Sequence, residues 1–140
     1  MSKAIALFNT GALLTAAARN SNSLANNYSA TTLNSDVHGI PLALINNTTF
    51  AAAGMSSGAD VSDSSTGITV RYIIDRLCTT AGEAYSSEKC VGFKQTSSQG
   101  GASFLAAMKT GQEFQPVYRI SVRATGPRNT QVYLQTTITR

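Results

Sequence analysis

The sequence predicts an α+β domain in which an N-terminal helix packs on an antiparallel β-sheet, with a C-terminal hairpin and one disulfide loop. Three observations lead there. The first 19 residues are rich in Ala and Leu at helical spacing. The C-terminal stretch alternates apolar and polar side chains on either side of a Gly-Pro turn. Two cysteines, Cys78 and Cys90, stand twelve positions apart and are the whole thiol inventory. A chain of 140 residues fits one domain, spanning 1–140, with a helix over 1–19, a variable loop region over 20–66 and a sheet with the disulfide loop over 67–140.

The helix is expected from Ser2, a capping residue type, to about Arg19. Ile5, Phe8, Ala12 and Ala16 fall on one stripe, and Leu7, Leu14 and Ala18 on a second beside it. Gly11 weakens its middle by about 1 kcal/mol relative to Ala. The apolar run is broken by Asn9-Thr10-Gly11 and falls short of the roughly 20 apolar residues a membrane span needs, so it reads as an ordered helix. Residues 20–66 are rich in Asn, Ser and Thr, and read as loop with one or two short elements near Ile40-Pro41-Leu42-Ala43-Leu44-Ile45.

Residues 68–77 read as a strand: Ile68, Val70, Tyr72 and Ile74 alternate with Thr69, Arg71, Ile73 and Asp75. Residues 79–89 form the disulfide loop, 95–101 read as flexible, and 104–108 are a short apolar run of open type. In the hairpin, Tyr118, Ile120 and Val122 alternate with Arg119, Ser121 and Arg123, and Val132 and Leu134 alternate with Gln131, Tyr133 and Gln135. Gly126 and Pro127 mark the turn, since Pro cannot donate to a ladder. The expected register pairs Val122 with Val132 and Ile120 with Leu134, with 124–130 as the turn. The helix is then expected to lie, through Ile5, Phe8 and Ala12, on the face bearing Ile68, Val70, Ile120, Val122, Val132 and Leu134.

Composition narrows the function classes. Charged residues are 13%, about half the usual quarter, while Ser, Thr, Asn and Gln supply 48 of 140 residues. That texture suits secreted and cell-surface domains. The net charge of +4 is scattered, with no run of three cations, which argues against nucleic-acid binding. One His and no Trp leave little for His-based metal sites or acid–base catalysis, and His38 reads as an exposed loop residue. No catalytic, cofactor or metal residue is assigned. Two thiols and a distant His38, without a CxxC spacing, make a disulfide the better reading than a metal site. Closing a loop of that size stabilises by about 3 kcal/mol in the chain-entropy treatment. Asp60-Val61-Ser62-Asp63-Ser64-Ser65 has too few carboxylates for calcium and reads as a solvated loop entering the strand. Arg71, Arg119 and Arg123 read as a solvated polar face that protects the sheet, the alternative being a basic stripe for an acidic partner.

The order of an apolar helix, a polar variable region, Thr69-Val-Arg-Tyr-Ile-Ile-Asp-Arg-Leu-Cys78, a second cysteine, and Val117-Tyr-Arg-Ile-Ser-Val-Arg-Ala-Thr-Gly-Pro-Arg-Asn-Thr-Gln-Val132 resembles the C-terminal half of type IV pilus minor pilins of the PilX kind. The match covers about 67–140, and the Gly-Pro-Arg-Asn-Thr turn is its most specific part. The family's basic leader, cleavage glycine and membrane-length helix are not in the sequence. Met1-Ser2-Lys3 reads as a start placed ahead of a soluble piece that lacks the membrane half of the helix. The resemblance implies a pilin-like fold and a non-catalytic subunit, inner-membrane anchored before assembly, with its head in the periplasm or outside the cell. Such a subunit helps initiate pilus assembly and sits near the pilus tip on the cell surface. Its implied partners are other minor pilins, the major pilin and a tip adhesin, with roles in twitching motility and adhesion. Membrane contact is implied only through the missing helix segment. Head-to-head contacts are expected from 20–66 and the disulfide loop. The rival readings are a minor pseudopilin of type II secretion and an unrelated secreted adhesive or carbohydrate-binding domain.

Overall fold

A computed structural model describes residues 1–83, 88–94 and 114–140. The expected flexible stretch at 95–101 and the apolar run at 104–108 lie outside the described residues. Helix α1 covers Ser2–Asn9, α2 Leu42–Ile45 and α3 Asn47–Ala52. The strands are β1 Tyr28–Ser29, β2 Val61–Asp63, β3 Ile68–Arg76, β4 Gly92–Lys94, β5 Phe114–Thr125 and β6 Gln131–Thr139. The result is a mixed α+β fold with a mostly antiparallel sheet and one disulfide, Cys78–Cys90. Among the described strands only β1 runs parallel to its neighbour, pairing Tyr28 with Ile74.

Strands β3 and β5 form the centre, antiparallel, with Arg71 opposite Arg123 and Asp75 opposite Arg119. Both are rich in β-branched and aromatic residues, which suit a pleated surface. On one face of the sheet, Tyr72, Ile74, Tyr118, Ile120 and Val122 share a buried cluster with Ala4, Phe8, Leu13 and Tyr28. The Phe8 and Tyr118 rings meet edge-on at 5.0 Å. On the other face, Ile73 is buried with Leu44, Phe50 and Met55.

The helix is shorter than the expected span to Arg19. Met1, not Ser2, occupies its N-cap, and it ends at Asn9. The chain then folds back on the last turn: Leu13 N–H donates to Leu7 O at 2.9 Å. At Gly11 a Cβ would lie 2.8 Å from Leu7 Cα, so only glycine fits the reversal. The buried side is Ala4 and Phe8, with Leu13 reached through the turn; Ala12, Leu14 and Ala16 of the expected stripes are exposed. A 3-10 turn at Ala17–Asn20 follows.

The hairpin register differs by two residues from the expected one. Val122 pairs with Leu134, Ile120 with Thr136, and Ala124 with Val132. The strands continue to Thr125 and resume at Gln131, so the loop is shorter than 124–130. Gly126 N–H donates to Thr130 O, and Asn129 sits at φ 58°, the left-handed conformation that closes the turn. A two-residue shift keeps every side chain on its face, which is why alternation alone could not choose between the registers. Val132 and Leu134, expected in the core, are 53% and 57% exposed, while Ile138 further along β6 packs against the α1-side cluster.

Residues 20–66 hold more structure than a loop region. Besides β1, β2, α2 and α3 they include 3-10 turns at Leu24–Asn26 and Ser57–Ala59. Helix α3 has a reciprocal cap in which Asn46 Oδ1 accepts from Thr49 N–H and Thr49 Oγ1 accepts from Asn46 N–H.

If the helix ran through Gly11, Gly11→Ala would stabilise the protein by about 1 kcal/mol. The close approach to Leu7 predicts the opposite sign: Gly11→Ala destabilises by about 1–2 kcal/mol, as forcing an atom into a filled position does, read as a lower urea midpoint.

Candidate functional site

Arg71, Arg119 and Arg123 lie on one face of the β3–β5 pair, as their alternation requires. That face is not solvated. The segment from Leu33 to Met55 covers it, and Arg71 and Arg123 keep only 8% and 5% of their exposure. A guanidinium taken from water needs its donors filled, and the covering layer supplies the acceptors.

Asp75, with no exposure, accepts from Arg119 Nε at 2.9 Å and Nη2 at 2.6 Å, and from Leu33 N–H at 2.9 Å. Arg119 also donates to Ser35 Oγ, Gly39 O and Leu33 O. Asp60, expected in a solvated loop, makes a two-oxygen pair with Arg71 through Nε and Nη2. The Arg71 guanidinium stacks 4.1 Å above the Phe50 ring. The acidic partners of Arg71 and Arg119 are therefore carboxylates of the chain itself.

Arg123 has no carboxylate partner among the described residues. Its Nη1 donates to Leu44 O and Ile45 O, and its Nη2 to Asn47 Oδ1 at 2.7 Å. Arg71 Nη1 reaches the same Oδ1 at 2.8 Å. Beside them lies a cleft of about 390 Å³ lined by Arg71, Arg123, Asn46, Asn47, Asn129, Gln131, Thr69 and Thr125.

On the opposite face Arg19 donates through Nε to Tyr118 Oη and through Nη1 to Leu13 O and Leu14 O. Tyr28 Oη donates to Arg19 O at 2.6 Å. Burial pushes the Tyr28 hydroxyl well above the usual tyrosine range, with the neighbouring Tyr118 adding to it. Burial likewise raises Tyr118, against the opposing pull of Arg19, and raises Tyr72. Exposed Asp63 is held below the usual carboxylate range by hydrogen bonds from Ser65 and Thr66.

The other residues singled out from the sequence are dispersed. Cys78 and Cys90 are buried with Phe114 and tie the end of β3 to the approach of β4. Beside them Val91 N–H donates to Leu77 O and Val117 N–H to Val91 O. Tyr118, Ile120 and Val122 lie in the core on the α1 side, Gly126 and Pro127 in the β5–β6 turn, and Val132 and Leu134 on the surface. His38 is exposed. Sequence reading placed Asp75 in the strand and Asp60 in a solvated loop, but did not foresee Asp75, Asp60 and Asn47 as partners of the arginines. The spacing of Asp75 four positions after Arg71, on one strand face, was the one available signal. No family model, no curated protein and no solved structure matches the chain.

Asp75→Ala leaves Arg119 buried without its carboxylate and is expected to cost about 3–5 kcal/mol, with part recovered when Arg119→Met is added; urea unfolding of the single and double variants measures both. Alkali supplies a second test. With a folded-state pKa above the unfolded value of about 10, Tyr28 contributes stability that is full below that pH and lost as pH rises above it. Stability is expected to fall steeply above about pH 10, and Tyr28→Phe to flatten that fall while costing about 1 kcal/mol at neutral pH for the lost bond to Arg19 O.

Proposed function

We propose that the chain is the globular part of a type IV pilus minor pilin of the PilX kind, a non-catalytic subunit that helps initiate pilus assembly and sits near the tip. The observation that carries the reading is the run from Tyr118 to Thr130, whose Gly126-Pro127-Arg128-Asn129-Thr130 turn has the family's texture and joins β5 to β6. The disulfide after β3 and a helix ahead of the sheet agree with it.

In this reading α1 docks on the sheet through Phe8 against Tyr118, and a longer helix would continue from it into the filament core. The exposed Val132 and Leu134 lie on the same sheet face as Ile120 and Val122, so packed subunits would gain by covering them. A head low in charge and rich in Ser, Thr and Asn stays soluble outside the cell. Its partners are other minor pilins, the major pilin and a tip adhesin.

Deletion of the gene in its host is expected to reduce surface pili and twitching. A copy carrying Cys78→Ser and Cys90→Ser is expected to rescue poorly. Normal piliation and twitching in a deletion strain without a redundant paralogue would overturn the assignment.

A further inference from the structure

Arg123 is a buried cation without a carboxylate partner among the described residues. Arg76 shares that condition, but its donors go to Ala30 O, Asn20 Oδ1 and Gly82 O. Arg123 differs in two ways. Its Nε, buried, has no acceptor among the described residues. And it lines a cleft, beside Arg71. The two guanidiniums converge on one neutral oxygen, Asn47 Oδ1, where an ion would be favoured. Arg71 Nη1 and Arg123 Nη2 each spend one hydrogen there, and the second on each has no acceptor among the described residues. With Asp60 neutralising one of the two, the pair retains one uncompensated positive charge.

The rest of the lining is neutral: Asn129 and the Thr125 hydroxyl can donate and accept, Gln131 keeps its amide N–H donors while its Oε1 accepts from Tyr133, Thr69 Oγ1 lies beside Ser62 Oγ, and Asn46 Oδ1 accepts from Thr49 N–H. This matches a ring of hydroxyl groups better than a bare anion. Among the described residues no aromatic ring lines the cleft, and Phe50 is already covered by Arg71, so a neutral sugar would lack a stacking surface. Affinity must then come from the charge. We propose that the cleft between the start of α3 and the β5–β6 turn binds a carboxylate-bearing sugar. Arg71 and Arg123 hold the carboxylate, and Asn129, Gln131 and the two threonines hold the hydroxyls. The inference does not rest on the pilin reading.

The test is titration of the isotope-labelled chain with glucuronate, glucose and inorganic phosphate, followed by the side-chain amide signals of Asn47, Asn129 and Gln131. Glucuronate is expected to shift them, with an affinity that falls as salt rises. Glucose and phosphate are each expected to bind at least about tenfold more weakly, since one charge-assisted contact or the hydroxyl set is lost. Two variants leave the buried arginines in place. Asn47→Asp puts a carboxylate between the guanidiniums; it is expected to raise the melting temperature and to weaken glucuronate binding about tenfold or more. Asn129→Asp keeps a residue that tolerates φ 58° and sets a carboxylate-repelling charge in the lining, with the same loss of binding. No shift with glucuronate, equal binding of glucose or phosphate, or undiminished binding by Asn47→Asp would each overturn the proposal.

Discussion

The arrangement of the covering layer depends on one carboxylate. Asp75, without exposure, holds Arg119 across the β3–β5 pair and Leu33 N–H from the segment above it. Those bonds join two central strands to the chain that runs into α2. Arg119 then reaches Ser35 and Gly39, so a single ion pair sets the path of residues 33–39 over the sheet. A buried pair of this kind gains little over apolar packing, but losing one member strands the other. Its role here is to specify where the layer sits.

The remaining arginines show how a chain with few charges buries several of them. Arg19 caps carbonyls of the turn after α1, and Arg76 spends its donors on carbonyls around Ala30 and Gly82. Backbone oxygens left unpaired by short 3-10 turns and loops become acceptors for guanidinium, whose five donors in a planar fork suit several at once. The irregular 20–66 segment is thereby held by cations from the strands. Arg123 is the member of this set whose acceptors run short, and it is the one that faces a cleft.

The two faces of the sheet therefore differ in how they are closed. The α1 side is closed by aromatic packing, with Phe8, Tyr28 and Tyr118 in contact and tyrosine hydroxyls kept protonated by burial. The other side is closed by ion pairs around a small apolar cluster of Leu44, Phe50, Met55 and Ile73. Alkali acts on the first and loss of a carboxylate on the second. On the α1 side, Val132 and Leu134 remain open on β6, the surface that the pilin reading assigns to subunit packing.

The α+β class, the strands β3, β5 and β6, the turn at Gly126-Pro127 and the Cys78–Cys90 pairing were legible in the amino acids, because each rests on a local pattern: a period of two, a turn residue type, an isolated cysteine pair. The length of α1 was not, since Ala and Leu continue past Asn9 while the chain turns back at Thr10, with Gly11 close against Leu7 and Leu13 N–H on Leu7 O. Nor was the register, because a shift of two preserves the faces and the choice falls to the turn around Asn129. The arginine face was misread for a deeper reason. Alternation says that Arg71, Arg119 and Arg123 share a side, but not whether that side meets water. That depends on Asp60, Asp75 and Asn47 arriving from distant points of the chain, and only the tertiary structure brings those acceptors to the guanidiniums.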